Sequence, residues 1–227
     1  MAFIKGTVLS SSVVKKMIVG ATGLCLSLFL VSHFIGNLLM IIGADLFNTY
    51  AYTLTSNPLI YVAEAILLLV FVLHGGYALK LVYENYVARP EKYYMKKNSG
   101  RGATFASSSM KYTGPLILIF LVIHLINFKY GEVFYTTVNG IEMRDFHRLM
   151  LVFFQSSINV IMYVAFMLVI AIHVSHGVWS VFQTFGILSN RCDKGLRTIS
   201  NLFALFIFIG YSIFPIWACL QEGVING

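Results

Sequence analysis

An all-α membrane protein with five transmembrane helices is the fold class this chain predicts, on three observations. Of its 227 residues 58% are hydrophobic and only 11% charged, where a soluble domain carries about 25% charged residues. The apolar residues lie in long blocks, giving a mean hydropathy of +0.80. Only four prolines punctuate them, and segments of about ten residues with alternating hydrophobicity, the mark of an outer-membrane barrel, are absent.

A hydrocarbon core of about 30 Å takes about 20 helical residues to cross. The blocks long enough are 17–43, 58–83, 112–129, 149–186 and 198–220. The first is too long for the apolar core of a signal peptide and no small-residue cleavage pattern follows it, so it reads as a span. The third is short and should barely cross; the fourth is long and should project beyond the bilayer. Residues 1–227 form a single transmembrane domain, without helical repeats or the paired broken helices of secondary transporters.

Charge orients the spans. With the N-terminus inside, Lys5, Lys15, Lys16, Lys80, Arg89, Lys92, Lys96, Lys97, Arg101, Lys111, Arg191, Lys194 and Arg197 face the cytoplasm, and Lys129, Arg144 and Arg148 lie outside. Bacterial inner-membrane proteins retain basic residues on the cytoplasmic side, so the net charge of +7 reports topology and gives no reason to expect nucleic acid. The three cysteines, Cys25, Cys192 and Cys219, have neither zinc nor haem-attachment spacing and are expected to be free thiols.

Of six histidines, His147 falls in a loop, whereas His33, His74, His124, His173 and His176 lie inside spans, where ionisable groups are costly and functional. With a 1.5 Å rise per residue, His33 lies about 25 Å from Lys16 and His124 about 20 Å from Lys111. His74 lies about 15 Å from Glu84, and His173 and His176 about 20 and 15 Å from Gly186. His33 and His124 therefore share the outer half, and His74 shares the inner half with one of the other two. In an up-down bundle the first and third helices are diagonal, as are the second and fourth. Two imidazoles facing across a diagonal have room for a metal between them, so the first four helices are expected to surround two stacked, bis-histidine b-type haems. Gly20, Gly23, Gly36, Gly75, Gly76, Gly114 and Gly177 cluster near these histidines, where a macrocycle needs missing side chains. A histidine-lined metal transporter is the weaker reading, because Glu64 is the one acid near a span interior and such transporters place carboxylates deep in the membrane.

Three stretches, residues 16–37 (KMIVGATGLCLSLFLVSHFIGN), 98–124 (NSGRGATFASSSMKYTGPLILIFLVIH) and 173–186 (HVSHGVWSVFQTFG), resemble the cytochrome b subunit of succinate:quinone oxidoreductases, in the single-anchor, five-helix, dihaem type that includes fumarate reductases. The resemblance extends over essentially the whole chain. It implies two haem b groups, with His33 and His124 on the outer iron and His74 and His173 on the inner one. It also implies cytoplasmic flavoprotein and iron-sulfur subunits, a membrane quinone, commonly menaquinone, and an assembly in which two heterotrimers can pair. Succinate–fumarate chemistry would belong to the partners, not to this chain alone. The family motif takes the first histidine of HxxHG as ligand, whereas depth slightly favours His176. A glutamate that some members carry two residues before that ligand, on a proton path, is Ala171 here. The runner-up family is the cytochrome b subunit of a membrane hydrogenase or formate dehydrogenase.

Weaker sites complete the expectation. A quinone needs an apolar slot, hydrogen-bond donors and a proton acceptor; outer-side candidates are Asn37, Asn48, Tyr50, Glu64 and His147, with Glu64 foremost. Lys15, Lys16, Arg101 and Lys111 are candidates for inner haem propionates, and His147 and Arg148 for outer ones. The basic connections around 84–111 and 186–197 are where the iron-sulfur partner should dock.

Overall fold

The structure is a computed structural model that describes residues 11–88, 105–187 and 193–221. Five helices are long and apolar enough to cross a membrane: α1 (Ser12–Ile42), α3 (Leu59–Val87), α4 (Phe105–His124) with the π-helical turn Leu125–Lys129 that continues it, α6 (Ser157–Thr184) and α7 (Asp193–Cys219). Between them lie α2 (Ala44–Ser56), strands β1 (Tyr135–Val138) and β2 (Ile141–Arg144), and the short α5 (Phe146–Phe154). The chain is thus a multi-pass helical membrane protein with a small hairpin.

Two spans depart from expectation. The third begins at Phe105 and runs 25 residues to Lys129, about 37 Å at the helical rise, so it is not short. Its serines hide in the ladder: Ser108 and Ser109 hydroxyls donate to the carbonyls of Phe105 and Ala106 at 3.0 and 2.9 Å. The fourth block is not one helix. It breaks at Gln155 and Ser156, where Ser156 is extended, Gln155 Nε2 donates to the carbonyls of Leu151 and Ala218, and Asn159 Nδ2 donates to that of Phe153. The bonds to Leu151 and Phe153 satisfy carbonyls that a continuous helix would have used, and the bond to Ala218 ties the break to the end of α7, leaving an amphipathic α5 and a 28-residue α6.

The hairpin pairs Tyr135 with Arg144 and Val138 with Ile141. Its turn is Asn139-Gly140, both at positive φ (51° and 78°), the pair that suits a two-residue turn between twisted strands.

Contacts at the helix ends fix the directions. Lys15 near the start of α1 pairs with Glu84 near the end of α3, and Glu64 early in α3 pairs with Lys129 at the end of α4 at 2.5 Å. Asn127 donates to Tyr163 on α6 at 3.1 Å, and Trp179 on α6 meets Asp193 and Ser200 on α7. Neighbouring spans are therefore antiparallel. α1 packs on α3 and α6, α4 packs on α6, and α3 and α4 barely touch, so α1/α4 and α3/α6 are the two diagonals of a four-helix ring.

α7 stands outside that ring against α6 and α1; Tyr211 donates to the carbonyl of Leu30 at 2.5 Å. The most buried side chains lie here, around Ile207, Phe214, Met167 and Met40, and at the end of the bundle away from Lys15, around Leu149, Phe154 and Tyr163. α3 buries no residue. The protein core thus sits on the α6–α7 flank, and the centre of the ring is left to the histidines.

Candidate functional site

Two histidine pairs occupy the diagonals. The rings of His33 on α1 and His124 on α4 have centres 6.0 Å apart and lie nearly perpendicular, at 88°. Those of His74 on α3 and His173 on α6 are 6.2 Å apart at 66°. The ring of His176 lies 5.8 Å from that of Trp179. The depth count misjudged His176 because its reference points were off: His74 lies 13 residues from the end of α3 and His173 11 from the end of α6, about 20 and 17 Å, so these two are nearly level.

The His74–His173 pair lies nearer the start of α1 and is called inner, the His33–His124 pair outer; the inner pair is held by hydrogen bonds. Nδ1–H of His74 points at the carbonyl of Val19 (3.1 Å) and the hydroxyl oxygen of Thr22 (3.3 Å), whose own proton goes to Ile18. Thr113 Oγ1, bonded back to Ser109, stands 3.0 Å from Nδ1 of His173. A neutral imidazole that donates from Nδ1 keeps a lone pair on Nε2. Gly23 makes the approach possible, since a Cβ there would lie 3.0 Å from Cε1 of His74.

The outer pair is held by rings. Phe29 stacks on His33 at 5.3 Å, and Phe120, Phe128 and Tyr163 stand 5.6, 5.2 and 6.2 Å from His124. Among the described residues Nδ1 of His124 is buried with no partner.

Thr22 and Thr113 were not singled out from sequence, although a signal exists. Thr-Gly followed after nine residues by His occurs twice, in TGLCLSLFLVSH (22–33) and TGPLILIFLVIH (113–124), with Phe29 and Phe120 at matching positions. Each copy sets a threonine at the inner pair and, 11 residues on, a histidine in the outer pair. The two layers are therefore about 16 Å apart along the helices.

The donors fit a bis-imidazole metal centre. Two metal–nitrogen bonds of about 2 Å, plus roughly 1 Å from each nitrogen to its ring centre, come to about 6 Å. Directly hydrogen-bonded imidazoles would bring the centres to about 5 Å. Among the described residues no three His, Cys, Asp or Glu side chains gather.

The remaining candidates scatter. Glu64 is half-exposed, in its ion pair with Lys129. Asn48 is 2% exposed, donates to Asp145 at 2.8 Å and accepts from the backbone N–H of His147 at 3.0 Å. Tyr50 lies against Gly36, where a Cβ would come within 2.9 Å of its ring. His147 packs on Trp217 at 6.0 Å; partial burial pushes its pKa down, against the opposing pull of the Asp145 carboxylate and the Met40 carbonyl. Arg148 lies over the Phe134 ring at 5.0 Å. At the end of the bundle that carries the start of α1, Lys15 is committed to Glu84, and Lys111 lies over Tyr112 at 4.8 Å. Cys25 and Cys219 are free thiols. Lys5, Arg89, Lys92, Lys96, Lys97, Arg101, Arg191 and Cys192, and most of both basic connections, lie outside the described residues.

Fold and site together define a multi-pass helical membrane protein with two stacked histidine pairs in its bundle. No family model, no curated protein and no solved structure matches the chain.

Proposed function

We propose that this chain is the dihaem cytochrome b anchor of a succinate dehydrogenase or fumarate reductase complex, passing electrons between a membrane quinone and iron-sulfur and flavoprotein subunits. The observation that carries the reading is the pair of transverse histidine contacts, at 6.0 and 6.2 Å, on the two diagonals of one ring. The resemblance of the three stretches around these histidines supports the choice of complex.

In this reading His33 and His124 hold the outer iron, and His74 and His173 the inner one. The bound haems would supply one-electron carriers at two depths of the membrane. Val19, Thr22 and Thr113 fix the tautomer and orientation of the inner imidazoles, which raises their basicity as ligands. Phe29, Phe120, Phe128 and Tyr163 keep water from the outer pair and lower the local dielectric.

We place the N-terminus on the cytoplasmic side of a bacterial inner membrane, so that Lys15, Lys16, Lys111, Lys194 and Arg197 face the partner subunits. The quinone, menaquinone by the resemblance, belongs to the outer half, with Glu64 as candidate proton acceptor and Lys129 as its counter-ion.

The test is to purify the chain with its partners from membranes, quantify haem per polypeptide and record reduced-minus-oxidised spectra. Two haem b per chain, reducible by succinate, is the expected result. A folded chain grown with ample haem and showing no haem absorption overturns the reading.

A further inference from the structure

We infer that Arg144 is a positioning residue for the outer histidine pair, acting through the π-helical turn next to His124; the inference rests on the dihaem reading. The inner imidazoles are oriented by hydrogen bonds, whereas His124 has none on Nδ1 among the described residues. Its orientation depends on the rings around it, of which Phe128 is the nearest, at 5.2 Å. Phe128 is buried within the π-helical turn, so whatever holds that turn holds the wall of His124.

Arg144 holds it. From the end of β2, its Nη1 donates to the carbonyl of Lys129 at 3.0 Å, and its Nη2 to those of Phe128, Gly131 and Glu132 at 3.1, 3.4 and 3.0 Å. The guanidinium also lies over the Phe146 ring at 4.4 Å. A helix end leaves its last carbonyls without intrahelical partners, and a wide turn closed by Tyr130 N–H onto the carbonyl of Leu125 (3.0 Å) spreads them apart. A planar fork with five donors can gather such a set; a single ammonium cannot. Gly131 belongs to the same device, since a Cβ there would fall 2.0 Å from the carbonyl oxygen of Asn127.

The consequence is geometric. Without the fork the turn can tighten toward the α-helical register, in which each residue gained or lost rotates the downstream chain by about 100°. Phe128, four residues from His124, remains its neighbour in either register but swings around the helix axis, so the ring contact that sets the plane of His124 changes. The inner pair, about 16 Å away along the helices, keeps its threonines and is untouched.

The experiment is electron paramagnetic resonance and redox titration of the haem-loaded wild type, Arg144→Lys and Gly131→Ala, with the outer signal assigned by its absence from His33→Ala. Arg144→Lys keeps the charge and removes the fork; Gly131→Ala opens the turn from the other side. The expected result in both is a shifted or lost outer signal and an unchanged inner one. An unmoved outer signal in both variants overturns the inference, and so does equal loss of both haems, which would make Arg144 a support of the whole fold. A wild type without haem overturns the dihaem reading itself, and this inference with it.

Discussion

Thr113 on α4 stands 3.0 Å from Nδ1 of His173 on α6, and the same α4 helix carries His124 into the other pair 11 residues later. Thr22 and His33 repeat the relation on α1. Each of these helices thus orients a histidine of one layer and supplies one to the other, which keeps the two layers in register.

Replacing Thr113 with Val preserves shape and removes the acceptor. The buried Nδ1–H of His173 is then unpaired, at a cost of about 1–3 kcal/mol, and loss of such an outer-shell partner lowers metal affinity about 10–100-fold. If the proposed haems are bound, the inner one should be lost preferentially, or shift in midpoint potential, while the outer one stays; Thr113→Ser should restore it. Redox titration of the two b-type signals checks this, and an outer-only effect would contradict it.

Gly23→Ala sets a methyl 3.0 Å from Cε1 of His74. The helix backbone tolerates alanine well, so the expected effect is displacement of the imidazole with folding intact: inner haem content falls and the melting temperature of the haem-free chain hardly moves. Haem quantitation beside thermal unfolding separates this from general destabilisation.

The cluster of Asn48, Asp145 and His147, between α2 and α5, predicts a pH response. Burial lowers the pKa of His147 in the folded chain, so the neutral form stabilises. That contribution is complete above the unfolded value and is lost as pH falls through the folded one. Between about pH 7 and pH 5 the wild type should lose more stability than His147→Gln. Thermal unfolding across that range measures the difference; parallel curves would contradict it. Asn48→Ala removes a buried partner of both Asp145 and the His147 N–H and should cost about 1–3 kcal/mol at any pH in the range.

Long apolar blocks made the five spans readable from the residues alone, because crossing a membrane requires both length and hydrophobicity. Hydropathy concealed the features set by polar side chains inside apolar runs. The break between α5 and α6 hides because Phe154 and Ile158 continue the apolar run on either side, and it is Gln155 and Asn159 capping carbonyls that make it. The early start of α4 hides behind serines that bond back to their own helix. The Asn139-Gly140 pair is a hairpin signal that went unread in the sequence, since a two-residue turn does not show in a search for long apolar blocks. Five of the histidines stood out from sequence as intramembrane residues; the threonines behind two of them did not, since a hydroxyl in a helix commonly satisfies its own backbone. Only the pairing across the ring shows what Thr22 and Thr113 touch.

The central claim is that each diagonal pair holds one haem. Haem content and low-temperature spectra of His33→Ala, His74→Ala, His124→Ala, His173→Ala and His176→Ala chains test it most directly. The account predicts that the His33 and His124 variants lose the same haem, that the His74 and His173 variants lose the other, and that the His176 variant keeps both. Loss of one common haem in the His33 and His74 variants would contradict it.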